Sequence, residues 1–416
     1  MASESRSLHV NPLTSPSSDF YRSVDERSIL DFLCIAGWAE QYRREPDAAR
    51  SAAAAALERW IAAGLPYREQ TPPQRTFDPA EVVNFAKARG IRGDDDFWER
   101  AYVATARRLI DGLQTHGERF HVRLERRVNL MQYDAGARVR LHLPLPIEDE
   151  STHDVRVTPD VDGTAPVEST RTEDGRMVAT VIVPREKIAS IAAEISFSCH
   201  PERTRSERRP DLELYLRPEE DLVRITPRIY ELAKRLVVND RDAIAGMQRI
   251  WDFFFEQMAL GVVHYDTLGE RPLDSVLESG LFDCRLGAAL IVALCRARGM
   301  PARIRSGYAL YDVPYYHYWA QVWSEERGWL PFDLICWDLS LRGQDAPWGQ
   351  RFFARIDARM TTETLPHTFT GFPSVRFPQA WHVLSRPIDR GAAFGLFSVE
   401  TGALVYEDRF SFNTNA

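Results

Sequence analysis

One segment near the middle of the chain limits the fold more than any other. From Leu286 to Cys295 the sequence runs through ten apolar residues, and the surrounding stretch from Cys284 to Arg298 is helix-favouring and ends at Gly299. A helix that is apolar on every side is buried. Because a membrane span needs about 20 apolar residues, this run is too short to cross a bilayer. It therefore predicts a helix at the centre of a globular core.

Composition excludes several classes of function. The 416 residues are 44% hydrophobic and 27% charged, which is ordinary for a globular protein. Asp and Glu outnumber Lys and Arg by 60 to 52, whereas binders of nucleic acid or of membrane surfaces need a basic patch. We therefore expect no nucleic-acid partner and no membrane association. The length fits roughly two to four domains.

The five cysteines are sparse and contain no CxxC pair; they are Cys34, Cys199, Cys284, Cys295 and Cys336. Such a set predicts neither a disulfide framework nor a zinc site. It fits a reducing compartment, and the first residues lack the apolar stretch of a secretory signal, so we expect a cytoplasmic protein. Zinc-protease, Walker, dinucleotide-binding and nucleophile-elbow motifs are absent from the sequence. We expect no metal and no cofactor.

The spacing of apolar residues predicts four regions. Residues 1–117 show helical spacing and predict a helical N-terminal domain, while alternation over 118–200 predicts a small antiparallel β domain. Residues 212–345 read as helices, the buried helix and then three strands, which together predict an α+β core. Residues 346–416 predict a C-terminal extension that ends in a β hairpin.

Cys284 begins the apolar helix, and this position gives it a chemical interpretation. The start of a helix favours an anion, so it should lower the pKa of a thiol and favour the nucleophilic thiolate. A cysteine nucleophile also needs a base and an acid that orients the base. His317 opens a strand 33 residues later, and Asp333 follows the next strand. By spacing alone, a cysteine before an apolar helix is more often a small core residue.

The sequence around these residues resembles the transglutaminase-like superfamily in several blocks. They are the Cys284 helix with its continuation Gly299-Met-Pro-Ala-Arg303 and Gly307-Tyr308, His317-Tyr-Trp319-Ala-Gln321, and Gly328-Trp329-Leu-Pro-Phe-Asp333. The blocks occur in the family's order over about residues 225–340. Arg127–Tyr133 and Arg138–Pro146 resemble the β domain that precedes this core in many bacterial members.

The resemblance implies a papain-like core in which the helix carrying Cys284 lies against an antiparallel sheet. It also implies a triad of Cys284, His317 and Asp333. Asp338 is an alternative orienting acid, but Asp333 fits the family spacing better. The sequence shows no calcium-binding loop, so calcium activation is not expected.

Other residues near the triad have both functional and structural interpretations. Tyr265 could line the cleft or help to form the oxyanion hole, or it could be a core aromatic. Trp319 could wall an acyl tunnel, but packing on the triad is the more frequent role. Gln321 stands where the family often has Glu and is a supporting position. Arg285 could contact a carboxylate or a phosphate of the substrate.

Three further residues are interpreted as structural. Cys295 lies on the same helical face as Cys284 but about 16 Å along the axis at 1.5 Å per residue, so it belongs to the core. No acidic residue lies at a spacing from His264 in the sequence that would indicate a catalytic pair. Arg303 is expected to form an internal ion pair or hydrogen bond.

These observations predict a cysteine acyl-transfer enzyme. Cys284 would form an acyl-thioester from a peptide, carrier-protein-bound or small-molecule donor, and an amine would accept the acyl group. The alternatives are hydrolysis of the same intermediate by water, a binding module without catalysis, and protein crosslinking. The N-terminal region could bind a carrier protein or cover the cleft.

Overall fold

The computed structural model describes most of the chain, with gaps. The described residues are 24–37, 39–70, 74–89, 118–149, 152–160, 168–171, 176–199, 211–238, 243–264, 268–310, 315–335, 337, 340, 345–355, 359–364, 380–388, 391–398 and 404–414. The helices are α1 (Glu26–Gly37), α2 (Ala39–Arg44), α3 (Pro46–Ala62), α4 (Pro79–Arg89), α5 (Pro227–Leu236), α6 (Ala243–Gln257), α7 (Pro272–Ser279), α8 (Cys284–Arg296) and α9 (Ala346–Arg351).

Strands alternate with these helices and dominate residues 118–199 and the C-terminal part of the chain. They are β1 (Val24–Asp25), β2 (Arg68–Gln70), β3 (Gln74–Phe77), β4 (Glu118–Asn129), β5 (Arg138–Pro144), β6 (Thr152–Asp160), β7 (Glu168–Arg171), β8 (Arg176–Ile182), β9 (Ile188–Cys199), β10 (Glu219–Glu220), β11 (Val223–Arg224), β12 (Ala259–Leu260), β13 (Leu281–Phe282), β14 (Ala302–Ala309), β15 (Tyr315–Ser324), β16 (Gly328–Phe332), β17 (Arg359–Thr364), β18 (Ala380–Ile388), β19 (Gly391–Ser398) and β20 (Leu404–Thr414). The predicted combination of helices and antiparallel sheets is therefore present.

The N-terminal region is not purely helical, contrary to the prediction. Helices α1 to α4 are joined by a three-stranded antiparallel sheet in the order β1-β3-β2. Strand β2 has three exposed polar residues and so carries no apolar alternation that a sequence pattern could detect. A separate small core holds this unit together, with Trp60 and Phe77 among its buried residues. Residues 90–117, which also belong to the predicted helical region, lie outside the described residues.

Residues 118–199 form strands β4 to β9 in two antiparallel sheets. Strands β5, β8 and β7 make the smaller sheet. The larger sheet has the order β18-β19-β20-β4-β9-β6, so three of its six strands come from the C-terminal part of the chain. Strands β19 and β20 pair as a hairpin, and β20 then pairs with β4 along most of its length.

The core around the apolar helix is a four-stranded antiparallel sheet in the order β16-β15-β14-β17. Helix α8 packs against β14 and β15. Its residues from Arg285 to Arg296 are all buried. Strand β17 lies beyond the predicted boundary at residue 345 and yet belongs to this sheet, so the sheet does not end where the sequence places the start of an extension.

The core and the β domain share one continuous hydrophobic cluster. A buried polar contact crosses the same junction: Arg126 of β4 donates two hydrogen bonds of 2.7 Å to Asp408 of β20, and the Tyr308 hydroxyl of β14 donates to Asp408 at 2.9 Å. The cost of burying these charges is offset by the bidentate geometry. The shared cluster and this contact tie the core sheet to the larger sheet of the β domain.

Candidate active site

Local interactions fix Cys284 at the start of α8. Asp283 is the N-cap, and its side chain accepts a hydrogen bond of 2.8 Å from the Leu286 backbone N–H. Just before it, β13 pairs in parallel with β12, and the Gly261 N–H donates to the Phe282 carbonyl at 2.7 Å. The cap and the strand pair together set both the direction and the position at which the helix begins.

His317 and Asp333 form a buried pair. The His317 Nε2 lies 2.8 Å from the Asp333 Oδ1, and the residues are 2% and 1% exposed. The Ile335 backbone N–H donates to the same oxygen at 2.9 Å. His317 lies on β15, and Asp333 directly follows β16, which pairs with β15. Because Nε2 faces the carboxylate, proton exchange with a thiol would involve Nδ1.

Cys284 lies beside this pair. The backbone N–H groups of Tyr318, the neighbour of His317, and of Arg285 lie close enough to the Cys284 sulfur to lower the pKa of its thiol. The pairing between β15 and β16 starts at Ala320 and Phe332. The part of β15 that contains Tyr318 therefore extends past the end of β16. Among the described cysteines, Cys284 alone retains some exposure, while Cys34, Cys199 and Cys295 are buried.

The electrostatics of the thiol differ from the sequence prediction. Burial raises the pKa of Cys284, and the carboxylates of Asp283 and Asp333 raise it further, while the two backbone N–H groups lower it. The helix start was expected to lower this pKa. Burial outweighs the effect of the helix start, whose positive end is already occupied by the capping carboxylate of Asp283, and a thiol whose pKa lies above its ordinary value is neutral at rest.

Asp333 is held as an anion by two neighbours. Burial alone would raise its pKa, but the neighbouring His317 and Arg359 lower the pKa well below the usual range of a carboxyl group. The Arg359 Nη1 donates to the Asp333 Oδ2 at 2.5 Å, and Arg359 is 3% exposed. Sequence reasoning missed Arg359, which sits on β17 and belongs to none of the family-like blocks.

Trp319 and Gln321 lie on β15 with His317. The ring of Trp319 is stacked with the ring of His317, with centroids 6.5 Å apart and planes at 20°. Trp319 is 2% exposed, which places it in packing contact with the pair. The Gln321 Oε1 accepts a 2.8 Å hydrogen bond from Arg303, whose guanidinium lies 4.0 Å from the Trp329 ring centroid. Gln321 thus lies in a polar contact further along the strand.

The side chain of Arg285 points away from the solvent. It is 2% exposed, its Nη2 donates to Asp221 at 2.5 Å, and its guanidinium lies 5.7 Å from the Tyr318 ring centroid. The structure therefore places Arg285 in a buried ion pair beside Cys284, not on an open cleft wall. Tyr265 and the alternative acid Asp338 lie outside the described residues.

His264 does have an acidic partner, which the sequence could not show. Its Nε2 lies 2.8 Å from Asp78 of the N-terminal unit. Nearby, the Asn84 side chain of α4 donates to the Val262 carbonyl at 2.8 Å and accepts from the Val262 N–H at 2.7 Å. The N-terminal unit therefore docks on the segment that leads from β12 towards Tyr265.

Comparison with known proteins agrees with the resemblance seen in the sequence. Residues 230–334 match the family model described as the transglutaminase-like superfamily. This part of the chain is therefore similar to the core of that superfamily. The matched range includes Cys284, His317 and Asp333. No curated protein matches the chain.

Solved structures show distant likeness to this chain. A "putative cysteine protease" from Cytophaga hutchinsonii is 15% identical with a TM-score of 0.38, covering 72% of this chain and 98% of its own. The periplasmic domain of TgpA from Pseudomonas aeruginosa is 17% identical with a TM-score of 0.34, covering 56% of this chain and 92% of its own. Likeness at this level says nothing about the chemistry of the present chain.

The described part of the chain shows features neither of a membrane-spanning helix nor of a metal site. None of the helices there has both the length and the apolar character needed to pass through a bilayer. Likewise, the described His, Cys, Asp and Glu side chains form no group of three or more that could hold a metal ion.

Proposed function

We propose that this protein is a transglutaminase-like cysteine acyl-transfer enzyme with Cys284, His317 and Asp333 as its triad. Cys284 attacks an amide or a thioester, forms an acyl-thioester and passes the acyl group to an amine. The observation that carries the proposal is the buried His317–Asp333 pair, 2.8 Å apart, beside a partly exposed cysteine at a helix start.

The raised pKa of the thiol defines how the reaction starts. Because Cys284 is neutral at rest, its proton has to move to His317 Nδ1 as the sulfur attacks the acyl carbon. Asp333 fixes the ring through Nε2 and stabilises the imidazolium that forms. The imidazolium then protonates the departing amine or thiol, which leaves the acyl group on sulfur and His317 neutral again.

The oxyanion of the tetrahedral intermediate needs donors near the sulfur. The backbone N–H of Cys284 lies in the first turn of α8, where N–H groups have no partner inside the helix. We assign it as the main oxyanion donor. Tyr265, 19 residues earlier in the sequence, remains a candidate for the cleft wall or for a second donor.

The second half of the reaction separates two enzymatic possibilities. In aminolysis, His317 removes a proton from an amine that attacks the acyl-thioester, and an amide forms. In hydrolysis, water takes the place of the amine, and the protein is a cysteine amidase or peptidase. A third possibility is a binding module that keeps the fold but forms no acyl-enzyme.

The donor class follows from the same chemistry. A peptide, a carrier-protein-bound acyl group or a small-molecule thioester would each present the carbonyl that Cys284 attacks, and we place the reaction in a small-molecule pathway in the cytoplasm. The acidic balance of the chain argues against nucleic acid or a membrane surface as a partner.

The decisive experiment measures how the acyl-enzyme divides between aminolysis and hydrolysis. The full chain is incubated with a short-chain acyl thioester, with and without primary amines of different size, and the products are separated by liquid chromatography and mass spectrometry. We expect the amide to increase with amine concentration at the expense of the acid. If water is the acceptor with every amine, the enzyme is a hydrolase and aminolysis is wrong.

The binding-module alternative makes a different prediction for the thiol itself. It requires that no acyl adduct form on Cys284 after incubation with an acyl thioester. Substitution Cys284→Ala is the matched control, since the remaining described cysteines are buried. A modification that is present in the parent and lost in this variant excludes the binding module.

A further inference from the structure

Arg359 reaches the candidate site from the far edge of the core sheet. Strand β17 pairs with β14, and β14 pairs with β15. Within this ladder Ala309 lies opposite both Arg359 and Tyr315, and Gly307 lies opposite both His317 and Thr361. Directly opposed residues share a face of the sheet. Arg359 therefore lies on the face of His317, and the β14 residues between them are small.

Gly307 allows this close arrangement. A Cβ at this position would lie 2.0 Å from the Met360 carbonyl oxygen of β17, which no side chain could tolerate. The ladder between β14 and β17 also shifts register between Ser306 and Gly307. The close approach at Gly307 sets where β17, and with it Arg359, lies beside β14.

The guanidinium of Arg359 contacts both groups that hold His317. Its Nη1 donates to the Asp333 Oδ2 at 2.5 Å, opposite the oxygen that binds His317. Its Cζ lies 4.6 Å from the centroid of the Trp319 ring, which is stacked with His317. Both partners of the cation are buried. A buried carboxylate thus carries a base on one oxygen and a permanent cation on the other.

This arrangement answers a difficulty in the proposed chemistry. A buried carboxylate that faces only an imidazole favours the protonated ring strongly, because a nearby negative charge stabilises a cation at low dielectric. A ring that is protonated at rest cannot accept the proton of a neutral thiol. A cation on the second oxygen shares the negative charge and opposes premature protonation of the ring.

We propose that Arg359 is a positioning residue of the site, which holds Asp333 and, through it, keeps His317 neutral and ready to accept a proton. The inference rests on the proposed function, because it assumes that His317 acts as a base. It adds a fourth residue to the site, contributed by a strand that lies outside the matched range 230–334.

The test is a direct titration of His317. Histidines labelled at Cε1 with carbon-13 are followed by NMR in the full chain carrying Cys284→Ala, so that the thiol does not titrate with the ring. His317 is assigned among the ten histidines by the signal lost in a variant that also carries His317→Asn. In this background Arg359→Gln and Arg359→Met are expected to raise the titration midpoint of His317 by about 1 pH unit, as removal of a charge at this distance does.

Two controls separate the charge from packing. Arg359→Lys keeps a cation and should restore the midpoint towards the parent value. Arg303→Met removes another buried arginine of the same sheet, which also lies over a tryptophan but contacts Gln321 instead of Asp333. It should leave the midpoint of His317 unchanged.

The possible outcomes are distinct. A midpoint that does not rise in either neutral variant overturns the proposal, and so does an equal rise with Arg303→Met. If neither neutral variant folds, judged by thermal unfolding, Arg359 has a structural role only and the proposal is wrong. Failure of the proposed function would show separately, as the absence of an acyl adduct in the chain that retains Cys284.

Discussion

Replacement of Asp333 by asparagine tests the orienting role with an almost isosteric change. Asp333 accepts from three donors: His317 Nε2 and the Ile335 N–H on Oδ1, and Arg359 Nη1 on Oδ2. An amide offers one oxygen and one NH₂ group. The NH₂ group would therefore replace one of the two carboxylate oxygens, and it cannot accept a hydrogen bond from the donor that faces that position.

The energies of these bonds predict which way the amide turns. A hydrogen bond to a charged group contributes about 1.5–3 kcal/mol, against about 0.5–1.5 kcal/mol for a neutral one. Leaving the buried guanidinium of Arg359 without an acceptor would cost more free energy than losing the bond to His317, because His317 can instead accept a hydrogen bond from the NH₂ group by changing tautomer. The oxygen should therefore face Arg359, which leaves the proton of the neutral ring on Nδ1.

A proton on Nδ1 removes the base. His317 could then no longer accept the thiol proton, and the same change of tautomer in serine-protease triads lowers kcat about 10⁴-fold. We expect Asp333→Asn to slow acylation of Cys284 by about 10³- to 10⁴-fold, equivalent to roughly 4–5.5 kcal/mol in activation free energy. The assay is a single-turnover time course with an acyl thioester at pH 7, followed by intact mass.

Asp338→Asn is the matched control, because Asp338 is the other acid that could orient His317 on sequence grounds. It should leave the acylation rate close to that of the parent. The reasoning would be refuted if Asp333→Asn acylated within about tenfold of the parent rate, or if Asp338→Asn caused the greater loss. Thermal unfolding of both variants checks that the difference is not one of folding.

Three other substitutions test the cap of α8, the packing at Gly307 and the contact between α4 and Val262. Asp283→Ala removes the N-cap of α8 and should cost about 1 kcal/mol of stability. It should also speed alkylation of Cys284 at neutral pH, because the Asp283 carboxylate raises the pKa of the thiol. The control Asp345→Ala removes the N-cap of α9 and should show only the loss in thermal stability. Gly307→Ala should destabilise the fold by about 1–3 kcal/mol through overpacking and should slow acylation, because it displaces β17. Urea unfolding and the acylation time course measure these two effects, and unchanged values would contradict the role of the close approach of β14 and β17 at Gly307. Asn84→Ala removes two hydrogen bonds to Val262 and should cost about 1–2 kcal/mol in urea unfolding; a shift below the error of the measurement would mean that α4 is held to the core by other contacts.

The sequence predicted the centre of the fold well because its signals are local. A run of apolar residues long enough for a helix but too short for a membrane has to be buried, and α8 is. The blocks around His317 and Asp333 lie on consecutive strands, so their pairing follows from short connections in the chain. The hairpin of β19 and β20 is local in the same sense.

The missed features depend on contacts between distant parts of the chain. Arg359 joins Asp333 only because β17 pairs with β14 although the 49 residues 310–358 separate the two strands, and nothing near Arg359 in the sequence records that pairing. The same holds for β20 beside β4. The pKa of Cys284 was predicted in the wrong direction because the effect of a helix start was considered without the burial of the thiol and without the carboxylate that caps the helix.

The central claim is that Cys284 becomes acylated with the help of His317. Its most direct test is intact-mass analysis of the full chain after reaction with an acyl thioester, followed by mapping of the modified peptide. The account predicts one acyl group on the peptide that contains Cys284, absent after Cys284→Ala and strongly slowed after His317→Asn. No adduct on the parent chain, or an adduct whose rate is the same without His317, would contradict it.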